Sequence, residues 1–566
     1  MRDREVRTDF AGIEFALRRV IQMKRFTSTT FTFALAALAA PACTDTDEAD
    51  LYDGETVKSD DGKADSSDLA VFVDAEWDGT LITDSSFNDQ ATVQSQLFYT
   101  IGQLNGMNSV GRIDKAIISN IVKTPVNGRT QVKYHAKLLV AWGNKNAVPT
   151  SIELKQPLDV SSSGQQAFAD KYKTSCVDFN AHDVTAGSMF YYYRPKVSGC
   201  TLAAEDVNTV TATFAPSPVQ TTGKFPEYNK IWEDNRLEVV AIFGKNEDGA
   251  TASSDPGIAA FNRFVSTMKT ELSTRNGTTI PADVPASPGV TAPDIEFNAT
   301  LPDGKQIRVV ALLTDNVRIG LQQPTFRARY ENLSTRADYI VYNGHAGLGT
   351  NVRAMASAGK WVQGQYVVIQ MNGCDTFAYI DDALFRAHQT INPDDTTGFK
   401  YIDIVNNGMP AFFSELSNTT MAMFRGLVAF DQPKTYEQMF RNIDSDQVVL
   451  VTGEQDNTFT PGGGGQPLPW PGLTDSGTVA KNAQKTWATP IVAAGTYDFT
   501  MTGSNDADLY VRVGSAPTTT KFDCRPYKTG SSESCRVTLA QPSTIHVMVR
   551  GYSTAASTFS LVGKKL

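Results

Sequence analysis

The stretch Asp338–Leu384, DYIVYNGHAGLGTNVRAMASAGKWVQGQYVVIQMNGCDTFAYIDDAL, organises the reading of the chain. Tyr339–Tyr342 and Tyr366–Met371 are short apolar runs with the length and β-branched content of buried parallel strands, and each ends in a glycine turn. The first turn presents His345 and the second presents Cys374. Between them Thr350 can cap a helix carrying Val352, Met355 and Ala356, and after Cys374 a second helix shows Phe377, Ile380 and Leu384 at helical spacing. Ligands of an open parallel sheet bind in the crevice at the carboxyl ends of its strands, and neighbouring strands lie about 4.8 Å apart. If these two strands are adjacent, His345 and Cys374 face each other across that edge.

The pattern extends on both sides. Leu237–Phe243 and Ile307–Leu313 read as earlier strands, the first followed by a helix capped by Asp255 with Pro256 at its first position. Tyr401–Val405 leads into a helix expected from Pro410 with Phe412, Leu416, Met423 and Leu427 inward, and Gln447–Val451 makes a sixth strand. Six strands alternating with helices imply a doubly wound parallel sheet with right-handed crossovers over residues 226–453. Thr278–Ala292, with its prolines, is a loop inserted between the first two strands.

Further domains flank this one, as a chain of 566 residues requires. Residues 69–225 mix strands and helices into an α+β domain, with the clearest strand at Thr130–Trp142, where Val132, Tyr134, Ala136, Leu138 and Val140 alternate with polar residues. The aromatic run Met189–Tyr193 reads as core beside a disulfide, and His135 and His182 lack companions at ligand spacing, so no metal is expected. Residues 454–477 contain PGGGGQPLPWPG and read as a linker, and 478–566 is strand and turn throughout, an all-β sandwich.

From Met23 the sequence MKRFTSTTFTFALAALAAPAC has the basic start, apolar core and small residues of an export signal, so residues 1–43 read as a signal peptide ending at a lipobox-like Cys43. Residues 44–68 are acidic and poor in large apolar side chains, a tether from a lipid-anchored Cys43. A net charge of −10 argues against nucleic-acid binding and for an exported surface protein whose only membrane contact is that anchor. Six cysteines are present. In an oxidising compartment the closely spaced pairs Cys176/Cys200 and Cys524/Cys535 read as disulfides, and with Cys43 acylated the one thiol left over is Cys374.

The run GTYDFTMTGSNDADLYVRVGSAPTTTKFDCRPYKTGSSESC, followed by VMVRGYS, resembles the bacterial pre-peptidase C-terminal domain. That resemblance implies a jelly-roll-like sandwich, a Cys524–Cys535 bridge and a role in secretion, processing or substrate attachment. Asp506 and Asp508 offer a calcium site, although turn carboxylates that merely cap backbone are commoner, and no other cofactor is expected. The central domain is similar to the caspase-like cysteine peptidases that include gingipains, legumains and caspases. In that clan His-Gly follows the third strand and the catalytic Cys follows the fourth, as His345 and Cys374 do here. Ala346 stands where the clan has glycine, and Asp375 follows the cysteine.

The resemblance implies an exported cysteine endopeptidase acting on a protein or peptide. Cys374 is its nucleophile, with a helix start that favours the thiolate and the Asp375 carboxylate that opposes it, His345 its acid–base, and the N–H groups of Ala346 and Cys374 its oxyanion hole. Gly344 and Gly373 allow the turns, and Asp315 is placed to pair a basic substrate side chain. The alternative is an inactive caspase-like surface lipoprotein that binds through its flanking domains. The sequence contains no GxSxG elbow, Walker loop or HExxH motif.

Overall fold

A computed structural model describes residues 64–84, 88–179, 181, 184–461, 470–539 and 542–566. The signal, Cys43, most of the acidic tether, His182 and the glycine-rich part of the linker lie outside the described residues. Among the described residues no helix is long and apolar enough to cross a membrane. The chain is multidomain, with four sheets among the described residues and a β-rich C-terminal module.

The first strand, β1 (Asp65–Ser67), belongs to the far end of the molecule rather than to its neighbours in sequence. Five strands follow, β2 (Val71–Thr83), β3 (Ser109–Val126), β4 (Arg129–Trp142), β5 (Ser151–Pro157) and β6 (Val207–Pro216). They form one antiparallel sheet in the order β3-β4-β2-β6-β5. The Cys176–Cys200 disulfide pins a loop containing the short helix Met189–Tyr192, where Met189, Phe190 and Tyr193 are buried.

The central sheet holds β7 (Arg236–Gly244), β8 (Thr278–Ile280), β9 (Asp294–Thr300), β10 (Gln306–Thr314), β11 (Tyr339–Asn343), β12 (Val367–Asn372), β13 (Ile402–Asn407) and β14 (Val449–Thr452). Its order is β1-β14-β13-β12-β11-β7-β10-β9-β8. The strands β10, β7, β11, β12 and β13 are mutually parallel, whereas β14, β9, β8 and β1 pair antiparallel at the edges. Every residue of β11, β12, β13 and β14 is buried, because helices cover both faces of the sheet. Val239, Ala241, Val341 and Val368 face the helices Pro256–Ser273 and Leu416–Val428. Val240, Ile340, Ile369 and Ile404 face the other side, and there the core runs without a break into the N-terminal domain.

Five expectations are corrected here. The sixth expected strand, β14, pairs antiparallel with β13, so the sheet is mixed rather than wholly parallel, and Thr278–Ala292, expected as a loop, opens with the strand β8, which pairs with β9. The tether ends earlier than Asp68, because Asp65 is fully buried on β14, where its carboxylate accepts from Thr452 (2.6 Å) and pairs with the buried Arg112 (3.4 Å). Residues 454–457 belong to the central body rather than a linker, since Glu454 is fully buried and Lys224 donates to the carbonyls of Gln455 and Asn457. The sandwich starts before residue 478, with β15 (Leu473–Val479), and continues through β16 (Gln484–Ala488), β17 (Gly495–Gly503), β18 (Ala507–Val513), β19 (Glu533–Leu539), β20 (Ile545–Gly551) and β21 (Ser557–Lys565). Its two sheets, β15-β21-β17-β19 and β16-β20-β18, enclose a core of Tyr497, Phe499, Leu509, Val511, Val547 and Leu561, and Cys524 is bonded to Cys535.

His388 supplies a test of this packing. Its ring lies 4.6 Å from that of Trp361, it is fully buried, and neither ring nitrogen has a hydrogen-bond partner. Burial pushes its pKa down to about 4. Between pH 6.5 and 4 the unfolded chain therefore takes up a proton that the folded chain refuses, so stability is lost as pH falls through this window, by about 3 kcal/mol from this group. His388→Gln removes that loss. The expected outcome is a smaller drop in denaturation midpoint between pH 7 and pH 4.5 than in wild type, read by tryptophan fluorescence. The buried Asp403, whose pKa burial raises to about 7, acts in the opposite sense but is common to both proteins.

Candidate active site

Parallel strand order reverses where β10 and β11 flank β7, so the loops after β7 and β11 bound the crevice at which such sheets take ligands. The turn after β11 carries His345 and the turn after β12 carries Cys374. Asn343 and Asn372 are register partners, and the Gly344 N–H donates to the Asn372 carbonyl at 3.2 Å, so the two turns do lie side by side. A Cβ on Gly373 would stand 2.7 Å from the Gly344 oxygen, closer than real side chains approach a backbone oxygen, which is why glycine is required there. Gly344 itself has φ +156° and packs over the Tyr342 hydroxyl. Ala346 is nearly buried and starts a short 3₁₀ turn, Gly347–Gly349.

The side chains do not form the expected dyad. The exposed His345 donates from Nε2 to the Asn246 carbonyl (3.1 Å) and meets the Phe413 ring edge-on at 5.2 Å. The partly buried Cys374 directs its thiol to the Ala411 carbonyl (3.7 Å). The Phe413 and Ala411 contacts come from the segment after β13, and the Asn246 carbonyl from the loop after β7. Residues 410–415 are not helical as the spacing implied: the helix begins at Leu416, Phe412 is 55% exposed, and the segment crosses the strand ends. The helix expected after Cys374 is also interrupted. Asp375 adopts a left-handed conformation (φ 49°), and only Thr376–Tyr379 is helical before the chain resumes as Ala383–Ile391. Cys374 therefore has no long helix whose dipole favours a thiolate. Burial, followed by the charge of Asp375, pushes its pKa up to about 11.

Asp315 does not await a basic substrate. Burial works against its charge, but the Lys245 ammonium (2.8 Å) and the Gly249 N–H (2.9 Å) outweigh that and hold its pKa below the usual range. In the sandwich, Asp506 accepts from the Gly530 N–H and Asp508 pairs with Arg525 at 3.0 Å, so both carboxylates serve the protein's own groups. Among the described residues no cluster of three His, Cys, Asp or Glu is arranged to hold a metal ion.

A buried ladder of amides seals the edge. Asn372 Nδ2 donates to Asn343 Oδ1 (2.7 Å) and to the Leu416 carbonyl (3.3 Å), and Asn407 Nδ2 donates to Asn372 Oδ1 (3.2 Å) and Gln447 Oε1 (2.9 Å). Thr420 donates to Asn343 at 2.9 Å. The signal for this ladder was present as an asparagine at the end of three consecutive strands. The contribution of the N-terminal domain carried no such signal: Asn105 donates to Asp375 at 2.6 Å, and Tyr191 faces both Asp375 and Cys374.

Residues 491–551 match the family model described as the bacterial pre-peptidase C-terminal domain. The C-terminal module is a bacterial pre-peptidase C-terminal domain. Over this module the chain is 57% identical to the neutral protease of Vibrio proteolyticus across 54 residues, 10% of this chain and 9% of that protein. It is 55% identical to a zinc metalloprotease of Helicobacter pylori across 51 residues, 9% of this chain and 20% of that protein. It is 53% identical to alkaline serine exoprotease A of Vibrio alginolyticus across 51 residues, 9% and 10% of the two chains. The chain thus spans less than a quarter of the length of each of these relatives. Among solved structures, vEP C-ter 100 is 38% identical and is covered over 98% of its length, 18% of this chain, with a TM-score of 0.15. Two of these relatives are named for metallo and serine chemistry, and none of the three carries the name of a cysteine peptidase. Together they overturn the Cys–His endopeptidase expected here and the inactive caspase-like variant of that reading.

Two measurements check this geometry. Alkylation of Cys374 followed by mass spectrometry is expected to be slow at neutral pH, to rise toward pH 11, and to proceed at the same rate in His345→Ala; a rate that falls in the mutant would restore an activated thiol. Asn372→Ala leaves the amides of Asn343 and Asn407 short of a buried partner and is expected to cost roughly 1–3 kcal/mol of stability in urea denaturation.

Proposed function

We propose that this protein is an exported hydrolase acting on polypeptides outside the cytoplasm, with the pre-peptidase C-terminal domain carried beside a catalytic or substrate-holding α/β body. One observation supports this reading above the others: more than half of the aligned residues of that module are shared with proteases of two unrelated catalytic types. A module that accompanies metallo and serine chemistry alike serves the polypeptide substrate or its delivery, and not one bond-breaking mechanism. Another relative over the same region is named an extracellular protease, of Xanthomonas campestris, at 51% identity across 47 residues, and this supports export; anchoring through Cys43 belongs to the same reading. The domain limits read from sequence, with the boundary shifts at Asp65, 454–457 and Leu473, serve as its working division.

A second reading rests on the sealed strand edge. With the Ala411 carbonyl on the thiol and Phe413 on the imidazole, both side chains are engaged within the protein, which favours a protein that holds polypeptide without cleaving it.

Purified residues 44–566 assayed on casein and gelatin separate the two. Cleavage that persists in Cys374→Ala and under thiol-directed inhibitors is the expected result. Intact substrate retained on the immobilised protein, with no fragments after prolonged incubation, would sink the hydrolase and leave the binding protein.

A further inference from the structure

The turn Cys374–Asp375 is where the N-terminal domain meets the carboxyl edge of the central sheet. Asp375 is fully buried, and its left-handed backbone directs it at the helix Tyr99–Asn105. Oδ1 accepts from Asn105 Nδ2 at 2.6 Å, while Oδ2 has no well-formed hydrogen bond and faces the Tyr191 hydroxyl. Arg194 lies on the same side. It donates to the Gly102, Tyr191 and Tyr193 carbonyls and pairs with Asp178 at 3.4 Å, which holds the disulfide-pinned loop against that helix. The charged and titratable groups around Asp375 are therefore Cys374 and Tyr379 on its own side and Tyr191, Arg194 and Asp178 on the other.

We propose that Asp375, held by Asn105 and facing Tyr191, is a pH-sensitive latch between the turn Cys374–Asp375 and the helix Tyr99–Asn105 with its neighbouring disulfide-pinned loop, tight in acid and looser toward neutrality, while the shared core keeps the domains together. The latch stands apart from the function proposed above and needs no particular bond-breaking chemistry.

Its sign follows from the contacts. A fully buried carboxylate with no direct ion pair among the described residues and one oxygen short of a well-formed hydrogen bond is costly as an anion, whereas the protonated acid carries no charge and keeps its bond from Asn105. Burial, only partly offset by Asn105, Tyr191 and Arg194, raises its pKa to about 6. Released to solvent, the same group titrates near 3.9. The docked form thus holds a proton between pH 4 and pH 6 that the released form gives up, so docking is strongest below pH 4 and weakens as pH rises through 6. Tyr191, raised by burial, stays protonated across this window, and so does the Cys374 thiol; Arg194, though burial lowers its pKa, stays charged. Asp375 is therefore the group that titrates within the latch.

Hydrogen exchange read by mass spectrometry on residues 44–566 from pH 3.5 to 7.5, corrected for intrinsic exchange rates, tests this. The expected result is that protection of the segments 99–107, 189–195 and 373–380 falls by up to roughly a hundred-fold between pH 4 and 6, the factor set by a two-unit shift. Strands β7 and β11 keep their protection. Asp375→Asn, whose residue tolerates the left-handed backbone, is expected to flatten the profile, and Asn105→Ala to lower protection of the same segments at every pH. Protection that does not change with pH, an unchanged profile in Asp375→Asn, or loss in step with β7 and β11 would each overturn the latch.

Discussion

The ladder of buried amides at the carboxyl ends of β11, β12 and β13 determines what the crevice can hold. Asn343, Asn372 and Asn407 sit one strand apart and bond to one another in turn, then reach up to the Leu416 carbonyl and across to Gln447, with Asn343 Nδ2 and Asn407 Oδ1 left without a partner. The bonds that are made lie in a buried, low-dielectric setting, where losing one costs more than it would in water. Anchoring the start of the helix Leu416–Val428 on the ladder obliges residues 410–415 to cross the strand ends. That crossing places the Ala411 carbonyl on the thiol and Phe413 on the imidazole.

The N-terminal domain is bound to the same edge through a continuous core and a small number of buried polar contacts. Arg112 is completely buried, paired with Asp114 (2.8 Å) and Asp65 (3.4 Å), and its guanidinium lies 5.5 Å from the Phe377 ring centre. Phe377 in turn meets Phe72 at 6.1 Å. One cation thus joins β1, the N-terminal sheet and the turn after Cys374. A charge in such a place is tolerated only when its partners are fixed, so the strand β1 and the N-terminal domain are mutually dependent. The consequence for function is steric: the crevice nearest Cys374 is roofed, while the side at the reversal of strand order, with His345, stays exposed.

The readings that survived rest on local periodicity. Continuous β-branched runs such as Tyr339–Tyr342 and Tyr366–Met371 can be satisfied only by burial on both faces, and Asp255 followed by Pro256 caps a helix wherever it stands, here through bonds to the Gly257 and Ile258 N–H groups. The readings that failed needed knowledge of distant partners. Phe412 fits an amphipathic helix on paper, yet the segment that runs from β13 to the ladder-anchored Leu416 leaves it outside one. Asp315 looks available until Lys245, brought beside it by parallel pairing of β7 and β10, neutralises it. Asp65 reads as one more acid of a solvated tether until Arg112 and Thr452 are seen to enclose it.

The sequence by itself determined the five parallel strands of the central sheet, the two disulfide pairs and the identity of the pre-peptidase C-terminal module, because each is encoded in residues close together along the chain. Only the tertiary structure decided that His345 and Cys374, though on adjoining turns, answer to Asn246 and Ala411 instead of each other. Hydrogen-bond partners and burial are set by whichever segments the fold brings to a strand end, and the helix Tyr99–Asn105, the loop around Tyr191 and the segment 410–415 arrive there from three separate parts of the chain.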